Sequence, residues 1–225
     1  MIRPAGRQVA SRLVRRRMRF DPTPLQPAAF SSWAGLDEAA ASAWSFFRLW
    51  LKHPLRVAAV VPSGHSLAVA ITASIEPASA PVIELGPGTG VFTRALLERG
   101  VPEHRLALVE LGHEFADTLQ QQFPRATVAR LDASRLGSVQ FFDGESAGAV
   151  VSGLPLLAMP PASVRRVLEA AFARLRPDGA FFQFTYGLRC PVPPAVLDRL
   201  GLKATRTGVA LRNLPPATVY RIERR

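Results

Sequence analysis

At 225 residues, 48% of them hydrophobic, the chain can bury one sizeable core, so a single compact domain with terminal additions is the expectation. Its longest strongly apolar run, Val57 to Val61, stops at Pro62, far short of the ~20 residues a membrane-spanning helix needs, and its one cysteine, Cys190, excludes an internal disulfide and reads as an inert buried thiol of an intracellular protein. Basic residues number 28 against 17 acidic, a net charge of +11, and seven of the excess charges (Arg3, Arg7, Arg12, Arg15, Arg16, Arg17 and Arg19) lie in the first 20 residues, where no acid occurs.

That basic segment, residues 1–20, carries Val9, Leu13, Val14 and Met18 at roughly helical spacing between the arginines. Such a basic amphipathic helix suits an anionic membrane surface; an organelle-targeting segment and a nucleic-acid arm have similar compositions. Residues 21–35 form a linker broken by Pro22, Pro24 and Pro27. From residue 36 to the C-terminus we expect one catalytic domain, its first part, 36–76, being a helical lid or membrane-facing region. Asp37 and Glu38 open a helix there, and Trp44, Phe46, Phe47, Leu49, Trp50 and Leu51 supply more apolar surface than one buried stripe needs. Val61–Gly64 reads as a turn, followed by a helix from about His65 to Ile75.

The next stretch, Val82-Ile-Glu-Leu-Gly-Pro-Gly-Thr-Gly90, is a short buried strand ending in three alternating glycines. A tight turn of this kind lets backbone approach a nucleoside, although an ordinary Gly/Pro turn between strand and helix uses similar residues. Strand and helix patterns then alternate. Strands are expected at Leu106–Glu110, Ala126–Leu131, Ala147–Ser152 and Ala180–Thr185. Helices are expected at Phe92–Arg99, Glu114–Phe123 and Ala162–Arg176, the last ending at Pro177-Asp178-Gly179. A short helix at Ala195–Leu200 and two strands, Ala204–Leu211 and Ala217–Glu223, close the chain. The pattern predicts an α/β, Rossmann-like fold: a central, mostly parallel seven-stranded sheet with helices on both faces and an antiparallel C-terminal hairpin.

Spacing narrows the nucleoside. A dinucleotide fingerprint needs a glycine at Val91, and a triphosphate loop needs a terminal Gly-Lys-Ser/Thr that is absent. Glu110, twenty residues past Gly90 at the end of the second strand, can accept hydrogen bonds from both hydroxyls of a ribose, and Asp132 follows the third strand.

Glu84 with Gly86, Gly88 and Gly90, then Glu110, then Asp132, resembles the motif series of class I S-adenosylmethionine-dependent methyltransferases. The resemblance implies S-adenosylmethionine as cofactor, with Asp132 reading the adenine amine and with Ser63, Leu111, Ala133 and Ser152 also bordering it. In the related adenine-dimethylating ribosomal RNA enzymes, the fourth strand runs into a polar residue, Leu, Pro and an aromatic ring that stacks on the flipped base. Here it runs into Ser152-Gly153-Leu154-Pro155-Leu156-Leu157, without that ring.

This segment, together with Ser45–Arg48, Val61–Ser63, Phe182–Gly187 and Arg212–Pro216, is similar to bacterial phospholipid N-methyltransferases, over about Ala43 to the C-terminus. That resemblance implies stepwise N-methylation of phosphatidylethanolamine towards phosphatidylcholine by an enzyme held at the cytoplasmic face of the inner membrane. Its implied partners are an anionic membrane and the phospholipid substrate, with no metal and no obligatory nucleic acid. Ala158-Met159 departs from the polar residue expected after Leu157. The amine of such a headgroup must shed a proton before it attacks. Tyr186 and His65 are the candidate groups for removing the proton or positioning the amine, the carbonyls of Gly153 or Leu154 are candidates to hold it, and Trp44, Trp50 or Tyr186 could receive the methylated cation. Methylation of RNA adenine and a non-catalytic cofactor-binding membrane scaffold are the alternatives.

Overall fold

The computed structural model describes residues 61–225 except 212, 214 and 215, with residues 61–63 in backbone only. The expectations for residues 1–20, 21–35 and 36–60, including the aromatic segment around Trp44 and Trp50, lie outside the described residues.

Seven strands and five α-helices carry the described fold: α1 (Val61–Thr72), β1 (Val82–Leu85), α2 (Val91–Glu98), β2 (Leu106–Glu110), α3 (His113–Gln122), β3 (Thr127–Arg130), β4 (Ala147–Ser152), α4 (Pro161–Phe172), β5 (Leu175–Thr185), α5 (Pro194–Arg199), β6 (Leu202–Ala210) and β7 (Ala217–Arg224). The strands form one sheet of order β3-β2-β1-β4-β5-β7-β6. The first five are mutually parallel, and β7 runs antiparallel between β5 and β6.

The alternating side chains of each strand divide the core in two. On one face Ile83, Leu85, Val150, Phe181 and Ile222 pack with Val164, Val167, Leu168 and Ala171 of α4 and Val196 of α5. On the other, Val82, Leu108, Val151, Phe182 and Val219 pack with Leu67 and Ile71 of α1, Leu96 of α2 and Leu119 of α3. Strands β1 and β4 are buried along their whole length. Each fully covered Ile, Leu or Val on them is worth roughly 1.5–3 kcal/mol.

Strand order reverses between β1 and β4. Helices therefore leave these neighbours on opposite faces, opening a crevice at their carboxyl ends, where ligands of open α/β sheets bind.

Most boundaries differ from the sequence reading by one to three residues, and two places differ by more. Val61–Gly64, expected to be a turn, is the first turn of α1; a proline is tolerated there because the earliest N–H groups of a helix have no intrahelical acceptor. Helix α4 stops at Phe172 rather than Arg176, and Pro177-Asp178-Gly179 lies inside β5. The pairing of β4 steps from Ala147 with Leu175 to Ala149 with Ala180, so these turn-forming residues make an irregularity in a strand and not a connection.

Candidate functional site

The β1 exit turns on glycines held at positive φ: Gly86 at 66°, Gly88 at 55° and Gly90 at 76°. Two of them also occupy places with no room for a side chain. A Cβ on Gly90 would sit 2.6 Å from the Phe123 ring, and one on Gly86 would sit 3.0 Å from Leu154. Gly90 caps α2 without a side-chain hydrogen bond, so the first N–H groups of that helix open towards the turn. Backbone hydrogen bonds tie the neighbouring strand exits together: Gly86 N–H donates to Val109, Gly153 N–H to Leu85 and Leu131 N–H to Glu110.

Three carboxylates stand along this edge, each in a different environment. Glu84 is fully buried, and burial pushes its carboxyl up to about 7 despite a 2.6 Å hydrogen bond donated by the Thr93 hydroxyl to Oε2. Its Oε1 is buried with no hydrogen-bond partner. Glu110, half-buried, accepts from Gly88 N–H at 3.1 Å through Oε2 and from Gly112 N–H at 2.8 Å through Oε1, which leaves lone pairs on both oxygens. Asp132 is exposed and accepts from Ser134 N–H at 2.8 Å. Hydrogen bonding to Ser134, side chain first and backbone second, holds it below the usual carboxylate range.

The remaining sequence candidates gather at the same edge. Leu111 directly follows Glu110 and is 68% exposed, whereas Ala133 and Ser152 are buried. Ser63 lies in the first turn of α1, and Gly64 beside it comes within 3.8 Å of Val91 by its would-be Cβ, which brings the start of α1 alongside the glycine turn. His65 is an exposed residue of this helix.

The β4 exit separates the two candidate carbonyls. That of Leu154 accepts from Gln183 Nε2 at 2.9 Å and from Leu156 N–H at 3.0 Å, so both lone pairs are engaged. That of Gly153 accepts no hydrogen bond among the described residues. Gly153 itself is fixed by crowding, because a Cβ there would lie 2.6 Å from the Gly86 carbonyl oxygen. Tyr186 is half-buried, its ring edge-on to Phe184 at 5.4 Å, and Phe184 in turn meets Phe92 at 5.9 Å. Burial raises the Tyr186 hydroxyl, against a smaller opposing effect of its hydrogen bond with Asn213. It is therefore a neutral phenol at physiological pH. Cys190 is half-buried and its thiol is likewise raised by burial.

Two residues that the sequence reading passed over help to build the site. Thr93 holds Glu84, and Gln183, 1% exposed, holds the Leu154 carbonyl while its Oε1 stays unpartnered. For Gln183 a signal was present: a polar residue in the otherwise apolar run Phe181–Phe184.

A small, positive-φ turn, an orphaned buried carboxylate oxygen and a second carboxylate with free lone pairs fit a cationic nucleoside. A family model described as a methyltransferase domain matches residues 82–179. The crystal structure of a glycopeptide N-methyltransferase complexed with S-adenosyl-L-methionine superposes with a TM-score of 0.54 at 17% identity, over 72% of this chain and 95% of that one. Fold and site thus define a Rossmann-like methyltransferase domain.

Among curated proteins, the ornithine lipid N-methyltransferase of Singulisphaera acidiphila is 30% identical over 180 residues, 78% of this chain and 92% of the relative. The ribosomal RNA small subunit methyltransferase A of Parabacteroides distasonis is 42% identical over a shorter stretch of 69 residues, 30% of this chain and 25% of that protein. The chain belongs to the class I S-adenosylmethionine-dependent methyltransferase family, and its cofactor is S-adenosylmethionine.

Proposed function

We propose that this methyltransferase transfers methyl groups to the primary amine of a membrane lipid headgroup, with phosphatidylethanolamine, taken stepwise towards phosphatidylcholine, as the acceptor. The observation that carries the reading is the β4 exit. Its Gly153 carbonyl, unbonded among the described residues, is followed by Leu154-Pro155-Leu156-Leu157, which suits an aliphatic amine and lacks an aromatic residue after the proline on which a base could stack. The similarity to an ornithine lipid N-methyltransferase supports a lipid amine and makes ornithine lipid the second acceptor to test.

In this reading the glycine turn, Glu84, Glu110 and Asp132 hold the cofactor, with Ser63, Leu111, Ala133 and Ser152 around it. When bound, S-adenosylmethionine supplies a methyl group already activated on a sulfonium. Glu84 Oε1 is the buried acceptor available to a positively charged group, and Glu110 offers its remaining lone pairs to the ribose hydroxyls. An amine N–H donates to the Gly153 carbonyl, leaving the nitrogen lone pair directed away from that bond. The headgroup ammonium would shed one proton before the attack, and the neutral amine would then accept the methyl group that the bound cofactor would supply, the methylated ammonium releasing a further proton to solvent only before a next round. Tyr186 orients the amine or faces the methylated cation, while exposed His65 is the candidate to take the proton.

Mass spectrometry of vesicle lipids after incubation with the enzyme and deuterated S-adenosylmethionine separates the two acceptors. Label in phosphatidylethanolamine supports the main reading, and label in ornithine lipid alone replaces it with the second.

A further inference from the structure

The large apolar side chains that remain exposed are not scattered. Among the described residues they are Val69, Leu111, Leu157, Leu188, Val209 and Leu211, and each of the four leucines follows the carboxyl end of a different strand: β2, β4, β5 and β6. Because β6 is antiparallel to β7 and β7 to β5, β6 ends on the same edge of the sheet as the parallel strands. The leucines are 68, 55, 65 and 75% exposed, and they rim the edge that carries the glycine turn and the Gly153 carbonyl. Single exposed leucines need no explanation, whereas four at one rim mark an apolar contact.

The opposite edge of the sheet is built differently. Ion pairs mark it: Arg105 with Glu145 at 2.6 Å, Arg176 with Asp178 at 3.6 Å, and Arg225 with Asp198. None of the exposed large apolar residues among the described ones lies there. At the leucine rim the exposed cations are less neutralised. Arg189, next to Leu188, makes no ion pair among the described residues, and Arg130 at the end of β3 shares its guanidinium only with His113, at 2.9 Å. Leu188 and Leu211 beside Arg189, at the end of the rim away from Glu110 and Asp132, complement the two layers of an anionic bilayer, acyl chains below and phosphates at the level of the guanidinium group.

The geometry points to this rim as the surface by which the enzyme seats itself on a membrane, with Leu157, Leu188 and Leu211 entering the headgroup–acyl boundary and Arg189 on lipid phosphate. The inference rests on the lipid-amine reading, which requires the methyl-transferring edge to come within a headgroup's reach of the bilayer. It adds a second, apolar contact to the basic N-terminal segment and fixes which edge of the sheet faces the lipid.

The test uses the full-length protein, the double variant Leu188→Gln/Leu211→Gln and, separately, Arg189→Gln. Sedimentation with phosphatidylcholine/phosphatidylglycerol vesicles, which carry no acceptor amine, reads docking apart from catalysis. In high salt, where charge attraction is screened, the wild type is expected to stay bound and the double variant to bind at least tenfold more weakly. Arg189→Gln is expected to weaken binding in low salt only. Affinity for S-adenosylhomocysteine and methyl transfer to a short-chain, water-dispersed amine lipid should match the wild type in both.

Equal vesicle binding by the double variant and the wild type overturns the docking surface. So does a lipid-free dimer that the leucine substitutions dissociate, which would assign the rim to a second copy. Protection of Leu188 and Leu211 from hydroxyl-radical labelling by residues 1–60 in lipid-free protein also overturns it. Leucine-dependent vesicle binding with no methyl transfer to any lipid leaves the surface standing and removes the lipid-amine reading. Transfer to dispersed lipid with leucine-independent vesicle binding does the reverse.

Discussion

A carboxyl group with no exposed surface and a single hydroxyl donor, as at Glu84, is costly to ionise. Its folded-state value of about 7 lies above the ordinary 4.5, so between these values the folded chain binds a proton that the unfolded chain has lost. The stabilisation is therefore full below 4.5 and is lost as pH rises through 7. Across that window the effect on stability is on the order of 3 kcal/mol. Replacing Glu84 by Gln should flatten the dependence of urea stability on pH between 5 and 8 and make the cofactor-free protein more stable by about 2–3 kcal/mol at pH 8. The same pH slope in both proteins would mean that Glu84 is not the titrating group. A cationic ligand near this carboxylate favours its ionised form, so wild-type cofactor affinity should rise with pH through 7, with proton release visible by calorimetry in buffers of different ionisation enthalpy.

Glu110 makes a different prediction. Its oxygens brace Gly88 and Gly112, and Glu110→Ala should weaken cofactor binding by about 1.5–3 kcal/mol through lost charge-assisted hydrogen bonds. Unchanged affinity by titration would detach this residue from the cofactor. Both acids were legible in the sequence because each stands at the end of an apolar run, Glu84 just before the glycines and Glu110 closing β2. Thr93 and Gln183 were not assigned, since what defines them is a partner nine and twenty-nine residues away in sequence.

At the scale of elements, the site depends on how closely the β1 and β4 exits approach. Gly153 permits this: in Gly153→Ala the new methyl would meet the Gly86 carbonyl oxygen at 2.6 Å, and that neighbour is backbone that cannot rotate aside. The expected result is a destabilisation of about 1–3 kcal/mol by denaturant titration, with weaker cofactor binding because the glycine turn is displaced. Wild-type affinity in a folded variant would show that the contact is dispensable.

The sequence already showed β1, β2 and β4 at the residues where they are found, because continuous apolar runs bounded by glycine or charge leave little ambiguity of register. It misplaced the junction of α4 and β5 because Pro177-Asp178-Gly179 is a local turn signal. Pairing of Leu175 with Ala147 carries the strand back past these residues, an outcome decided by tertiary contact. Val61–Gly64 misled for a similar reason: a proline and a glycine near a helix start resemble a turn until the helix that follows is seen.

Across the whole molecule, charge and apolar surface are distributed unevenly. Seven of the eleven excess positive charges belong to residues 1–20, and the described leucine rim lies at the cofactor edge of the sheet. No helix among the described residues is long and apolar enough to cross a membrane. Removing residues 1–20 should lower binding to anionic vesicles in low salt and change it little in high salt, with cofactor affinity intact. Undiminished low-salt binding by the truncated protein would remove the docking role from that segment. Composition showed the basic segment but gave no sign of the rim, because Leu111, Leu157, Leu188 and Leu211 are separated in sequence and meet at one edge only through the order of the strands.

In the proposed function a class I methyltransferase site serves a lipid amine rather than a base. Ribosomal RNA and vesicles containing phosphatidylethanolamine and ornithine lipid, offered together to the full-length enzyme with S-adenosylmethionine labelled in its methyl group, test it most directly. Label is expected in the lipid fraction, on nitrogen, with none in RNA above background. Label in RNA adenine with unlabelled lipid would contradict it.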